Sequence, residues 1–160
     1  MKLLFSHPSF TQLLIFEDGV VSHFIEHQQT GDKPEVGGQL FGRIIDDKII
    51  VQRATGPYKE DIKRRFWFLP FRNKERADIK KQFKEDFHYL GDWHTHPEDK
   101  PQPSYQDLES MNDCFKKSKH NHGSFILAVI GRKNIKDSIS VTLHRKNEVL
   151  KLIYDSSENT

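Results

Sequence analysis

One segment constrains this chain more than any other: Ser124-Phe125-Ile126-Leu127-Ala128-Val129-Ile130-Gly131. It is nearly all apolar, with no polar alternation, which describes a central strand buried in a sheet. Such a strand needs layers on both sides, and periodicity elsewhere supplies them. Asp18 is placed to cap a helix that carries Val21, Phe24, Ile25 and Gln28 at helical spacing. Residues 73–87 place Ile79, Phe83 and Phe87 four apart among many Lys and Glu, an amphipathic helix with Asn73 as its N-cap. Residues 104–119 form a third helix, with Leu108, Met111 and Phe115 on one face.

Residues 37–45 and 48–54 flank Asp46-Asp47 as a hairpin, and 65–71 and 89–96 are strand candidates. Leu13–Phe16 is a short apolar run, residues 31–34 and 97–103 are loops, and 138–145 with 149–155 predict an antiparallel pair. The resulting order is helix, strands, helix, strand, helix, strands. It predicts an α/β (α+β) layer fold, a mixed sheet flanked by helices.

A length of 160 residues fits one domain, read as residues 1–155 with a short polar tail over 156–160. The single cysteine, Cys114, excludes an intrachain disulfide framework and zinc sites built from several thiolates. No apolar run is long enough to cross a membrane, and the N-terminal run is too short for a signal peptide, so a cytoplasmic protein is expected, with no membrane partner. Lys+Arg 25 against Asp+Glu 23 leaves a net charge of +2, which gives no electrostatic reason to expect nucleic acid.

The chemistry-bearing residues gather between Gly91 and Asp107. His94 and His96 stand at i and i+2, so on a strand both imidazoles project from one face and can reach one ion. Two surface histidines at a strand end would have the same spacing. Asp107 follows across a Pro-rich loop that lets the chain turn back over the strand end. Two histidines and a carboxylate leave a fourth metal position open to water, the composition of a catalytic zinc site. Ser104-Tyr105-Gln106-Asp107 is equally a capping-box variant, and the two readings are compatible. A hydrolytic site also needs a base. Glu35, in Glu35-Val36-Gly37-Gly38-Gln39-Leu40-Phe41-Gly42, is the candidate, although it also reads as an acidic residue before a glycine hairpin.

Together these segments resemble the JAB/JAMM (MPN-plus) metallopeptidases. That family's pattern is a Glu, then His-x-His, seven residues, Ser, two residues, Asp. Glu35, His94, His96, Ser104 and Asp107 meet it without departure in spacing. The resemblance spans about residues 13 to 153 and implies a cytidine-deaminase-like mixed sheet flanked by helices. It implies that His94, His96 and Asp107 bind Zn2+, that Glu35 is the general acid/base, and that Ser104 helps stabilise the oxyanion. It further implies cleavage of amide bonds at the C-terminal tail of ubiquitin or a ubiquitin-like protein. The context from Tyr89 to Glu98, followed by Pro101-Gln102-Pro103-Ser104, looks most like the small deconjugating peptidases of CBASS, the bacterial cyclic-oligonucleotide antiphage systems. There the partner is a protein with an extended C-terminal tail, a cGAS-like nucleotidyltransferase joined to its target. Two alternatives stand beside this: a peptidase that trims the C-terminus of a sulfur-carrier protein, and a non-catalytic MPN-type interaction module. A nucleobase deaminase, suggested by fold kinship, needs a His/Cys/Cys or all-Cys zinc set that one cysteine cannot supply.

Other residues admit two readings each. Cys114 lies two helical turns beyond Asp107, as packing or as an approach to the site. His120 and His122, near Lys116, Lys117 and Lys119, read as a solvated helix end or a basic docking patch. Lys63-Arg64-Arg65 beside Phe66-Trp67-Phe68 reads as a strand entered from a charged turn, a nucleic-acid stripe, or the flank of a groove for an extended tail. Trp93 reads as packing behind the ligands or as a groove wall.

Overall fold

A computed structural model of the chain describes residues 1–118 and 122–156. Lys119 and His120, and all but the first residue of the 156–160 tail, lie outside the described residues. The elements run β1 (Leu3–His7), β2 (Phe10–Phe16), α1 (Asp18–Glu26), β3 (Gly37–Ile45), β4 (Lys48–Ala54), β5 (Ile62–Lys63), β6 (Phe68–Leu69) and α2 (Arg72–Lys84). Then come β7 (His88–Thr95), α3 (Tyr105–Lys117), β8 (Phe125–Ile130), β9 (Ile139–Arg145), β10 (Glu148–Lys151) and β11 (Ile153–Tyr154).

The apolar segment is the interior strand β8, buried along its whole length. It runs parallel to β7 and antiparallel to β9 in a nine-stranded sheet of order β10-β9-β8-β7-β3-β4-β2-β1-β11. Its side chains divide by pleat. Ile126, Ala128 and Ile130 join the large core under α1, with Leu3, Leu14, Phe16, Val20, Phe24, Val51 and Trp93. Phe125, Leu127 and Val129 join Met111 of α3 in a small cluster on the other face. The expected mixed sheet flanked by helices is the fold observed.

The edges of the sheet differ from expectation. A single C-terminal strand was expected over 149–155, but it breaks at Leu152. Residues 148–151 pair with β9, whereas Phe5 pairs with Tyr154 and Ser6 with Ile153 at the opposite edge. Only Leu152 separates the two strands, so the sheet curls until one short segment spans both its edges. Its backbone N–H donates to Val141 O at 2.9 Å. The apolar run Leu3–Phe5 lies in β1, the strand with which β11 pairs.

Three local expectations are corrected. First, residues 65–71 are not one strand. β5 and β6 form a two-stranded hairpin whose turn is 64–67, closed by Arg64 N donating to Trp67 O at 2.9 Å. The aromatics there are exposed, Phe66 by 71% and Trp67 by 52%. Second, α2 turns a polar stripe inward. Glu75, Asp78 and Gln82 are buried while Phe83 is 65% exposed. Polar partners explain the reversal: from outside the helix Arg53 Nη1 donates to Gln82 at 2.8 Å and Tyr58 to Asp78, and within its first turn Arg72 donates to Glu75 at 2.8 Å. Third, Asn73 and Asp18 are not caps. The N-cap positions are Phe71 and Glu17, neither with a side-chain cap bond, and α1 ends before Gln28.

Candidate metal centre

β7 and β3 position the site through their register. Gly37 faces His94, and beyond it Val36 and Thr95 exchange further hydrogen bonds, Thr95 N to Val36 O at 2.9 Å and Val36 N to Thr95 Oγ1 at 3.1 Å. Two residues back from Gly37 is Glu35, and two on from His94 is His96, so the antiparallel ladder brings them together across 61 residues (96 − 35). Gly37 has to be glycine here: a Cβ would lie 2.5 Å from the Phe68 ring and 2.8 Å from His94 Cβ. Its absence lets Phe68 of the hairpin pack beside His94, ring centroids 6.2 Å apart.

The Pro-rich loop returns the chain so that the first turn of α3 covers the strand end. Ser104 Oγ accepts from Asp107 N at 3.0 Å, and Asp107 Oδ2 accepts from Ser104 N at 2.8 Å, a complete capping box. The same Asp107 Oδ2 lies 3.2 Å from His94 Nε2 and 3.3 Å from His96 Nε2, and the two Nε2 atoms are 3.1 Å apart. The capping role of Asp107 is therefore compatible with its carboxylate facing both imidazoles. Ligands ~2.0–2.1 Å from a tetrahedral zinc stand about 3.3 Å from one another. The three donor atoms already have that spacing, so these residues fit a metal ion. A second set, His94 and His96 with Glu35, has donors within 4.8 Å of one another. The Asp107 set is tighter, because Glu35 Oε1 stands 4.0 Å from His96 Nε2, one step back.

Glu98, which sequence reasoning passed over, accepts a hydrogen bond at His96 Nδ1, 2.9 Å away. That carboxylate favours the proton on Nδ1 and so turns the Nε2 lone pair of the neutral ring toward His94 and Asp107. Its position two after His96 on a loop carried no periodic signal.

Burial sets the electrostatics. It pushes the Glu35 carboxyl up to about 7, opposed by His96 and reinforced by Asp107 and Glu98. Burial also works to raise Asp107, but the two imidazoles bonded to it win and hold that carboxyl well below the usual carboxylate range. His96 is raised, because Asp107, Glu35 and Glu98 outweigh its desolvation. A cleft of ≈ 560 Å³ opens over these groups. Its walls include Phe66, Trp67, Leu69 and Ser104.

Trp93 and Cys114 both lie away from the cleft. Trp93 is fully buried on the opposite face, with Nε1 donating to Thr55 O at 2.9 Å. Cys114 lies near the Tyr89 hydroxyl at 3.6 Å, in a neighbouring cavity, and burial raises its thiol pKa. It is no poised nucleophile. His122 lines that neighbouring cavity too.

A mixed sheet whose register joins an acid to a His-x-His strand, with a carboxylate supplied by the next helix, defines a JAB-type domain. The chain belongs to that family: the model for prokaryotic homologs of the JAB domain matches residues 17–144. Among curated relatives it is similar to the CD-NTase/cGAS isopeptidase of Pseudomonas aeruginosa (strain BWHPSA011 / Pa011), 31% identical over 124 residues that cover 75% of this chain and 78% of that one. It is similar also to the CD-NTase/cGAS isopeptidase of Vibrio cholerae, 27% identical over 144 residues, covering 85% and 90%. Among solved structures, protein DSY2949 from Desulfitobacterium hafniense shares the fold, with TM-score 0.61, 20% identity and coverage of 85% and 87%. The expected family resemblance, including the bacterial deconjugating branch, is borne out.

Proposed function

We propose that this chain is a zinc-dependent isopeptidase of the cytoplasm. Its substrate is the amide joining the C-terminus of a conjugated protein, of the cGAS-like nucleotidyltransferase type, to its target. The observation that carries this reading is the triangle of His94, His96 and Asp107 donor atoms with the Glu35 carboxyl beside it. The relatives' names supply the substrate class.

In this reading His94, His96 and Asp107 hold Zn2+, which when bound supplies Lewis-acid polarisation of the scissile carbonyl and acidifies water. Glu35 takes a proton from the water that attacks the carbonyl carbon. Ser104 donates its hydroxyl to the oxyanion, since that oxygen only accepts from Asp107 N within the cap. The C–N bond then breaks, and Glu35 returns the proton to the leaving amine, giving a free carboxylate and a free amine. A carboxyl near 7 suits both halves of this transfer at neutral pH. The exposed apolar side chains Phe66, Trp67 and Leu69 at the rim are placed to receive an extended tail.

The test is cleavage of a purified conjugate by wild type, Glu35→Ala and His96→Ala, with zinc measured in each. Wild-type turnover in either variant refutes the mechanism. A panel of a nucleotidyltransferase conjugate, a ubiquitin-like conjugate and a sulfur-carrier precursor identifies the substrate. One zinc per wild-type chain with chelator-sensitive cleavage removes the interaction-module alternative.

A further inference from the structure

We propose that His23, Glu26 and His27 of α1 form a second cation site, for a divalent transition metal that prefers imidazole, such as Zn2+ or Cu2+. The three residues stand at i, i+3 and i+4, so they share one side of the helix. One donor atom from each lies within 4.8 Å of the others. The site is separate from the cleft, since α1 covers the opposite face of the sheet.

Spacing alone would also describe two packed surface histidines. Their hydrogen bonds separate the readings. His23 Nε2 donates to Gly56 O at 2.6 Å, and His27 Nδ1 donates to His23 O at 2.8 Å. A backbone carbonyl only accepts, so each contact requires an N–H at that ring nitrogen. Each neutral ring is left with its lone pair on the other nitrogen, His23 Nδ1 and His27 Nε2. A ligating histidine is held in just this way, one nitrogen tied to an acceptor and the other presented to the ion. His96 with Glu98 follows the same pattern.

Three further features favour a cation here. Both rings pack against Trp93, with centroids 5.3 Å and 5.9 Å away, which restricts their rotamers. They stand in and just beyond the last turn of α1, where the helix dipole favours positive charge. Glu26 is exposed, so the charged member of the set stays solvated and an ion can enter from bulk water. Desolvation lowers the His23 pKa, which keeps the ring in its ligating form at neutral pH.

Loading this site would brace a specific segment. Gly56, gripped by His23, packs on Gly37 and Gly38, where a Cβ at 56 would lie 2.4 Å from Gly37 O. The metal would thereby brace the packing of Gly56 on Gly37 and Gly38, with no contact to Glu35 or the cleft.

Metal titration of the full chain, stripped with chelator, tests this and is independent of the isopeptidase reading. The His94→Asn/His96→Asn double variant should bind one equivalent of Cu2+, with electron paramagnetic resonance couplings from two imidazole nitrogens. Adding His27→Asn should abolish that equivalent, and the exposed change Glu26→Gln should weaken it at least tenfold. His27→Asn in the otherwise wild-type chain should leave conjugate cleavage unchanged. No binding by the double variant overturns the proposal, as does a Cu2+ signal lacking two nitrogens or unaffected by His27→Asn and Glu26→Gln. If cleavage is absent from the wild type while the double variant still binds one Cu2+, the isopeptidase reading fails and this site stands.

Discussion

The two faces of the sheet are built from opposite materials. Under α1, Phe16, Phe24 and Trp93 interlock at centroid distances of 5.5–5.6 Å within a core of twenty buried apolar residues among those described. Under α2 and α3 the apolar cluster has four buried members. The space around it holds Arg72, Glu75, Asp78, Gln82, Asp92, His94 and His96. Each fully buried Leu or Phe contributes about 1.5–3 kcal/mol, whereas a buried polar group contributes only about 0.5–1.5 kcal/mol through its hydrogen bond and costs about 1–3 kcal/mol if left unpaired. The difference teaches that the large apolar core and the buried carboxyls have been concentrated on different faces of the sheet. Burial pushes Glu75 up to about 7 and raises Asp92, a sign that these carboxyls are held there against their solvation.

The sharpest way to break this contrast is Glu35→Gln. Cleavage of the conjugate should fall by about 10²–10⁴, the range for a general acid/base. Stability to urea should stay level or rise, since the change removes a buried carboxyl. A loss of stability with turnover intact would reverse the assignment of the two faces. On the other face Phe24→Ala should cost about 3–5 kcal/mol in urea denaturation, with turnover per folded molecule unchanged below the new melting point.

A pH experiment probes the polar face again. His144 is fully buried on β9, bonded to Asn112 at 2.8 Å and Thr142 at 2.9 Å, and burial drives its pKa down to about 4. Between pH 6.5 and about 4 the unfolded chain takes up this proton and the native one does not. This contribution to stability is therefore whole above pH 6.5 and is lost as pH falls towards 4. In paired denaturation series, His144→Gln should show a shallower decline across that window; an identical slope would place the acid sensitivity elsewhere. The smallest effect is expected at the rim. Trp67→Ala should raise KM about tenfold with kcat nearly constant, as for the loss of one docking contact.

Legibility in the sequence followed the same division. β8 and the α1 face were readable because apolar side chains act through burial, which periodicity records. The juxtaposition of His94, His96 and Asp107 was readable because strand alternation and a capping box have fixed spacings. The Glu35–His96 approach needed the β3–β7 register, which local sequence does not encode, and it was reached only through the family pattern. α2 misled because Ile79, Phe83 and Phe87 make a convincing apolar stripe. The side that turns inward was decided by Arg53 and Tyr58, residues distant in sequence. Glu98 and the 64–67 turn were lost for a similar reason, since loop geometry depends on what the loop meets.

The segment 148–154 that spans both sheet edges also has a consequence for how the chain is made. β1 is translated well before its outer partner, residues 153–154, which follow nearly 150 positions later (154 − 5 = 149). Until then β1 presents an unpaired strand edge, and β9 likewise lacks β10. Synthesis at about 5–20 residues per second leaves that edge open for several seconds to about half a minute. The sheet is thus completed at both its edges by one short segment, and a nascent chain halted before residue 148 would carry the His94, His96 and Asp107 cluster on a sheet that lacks both edge strands.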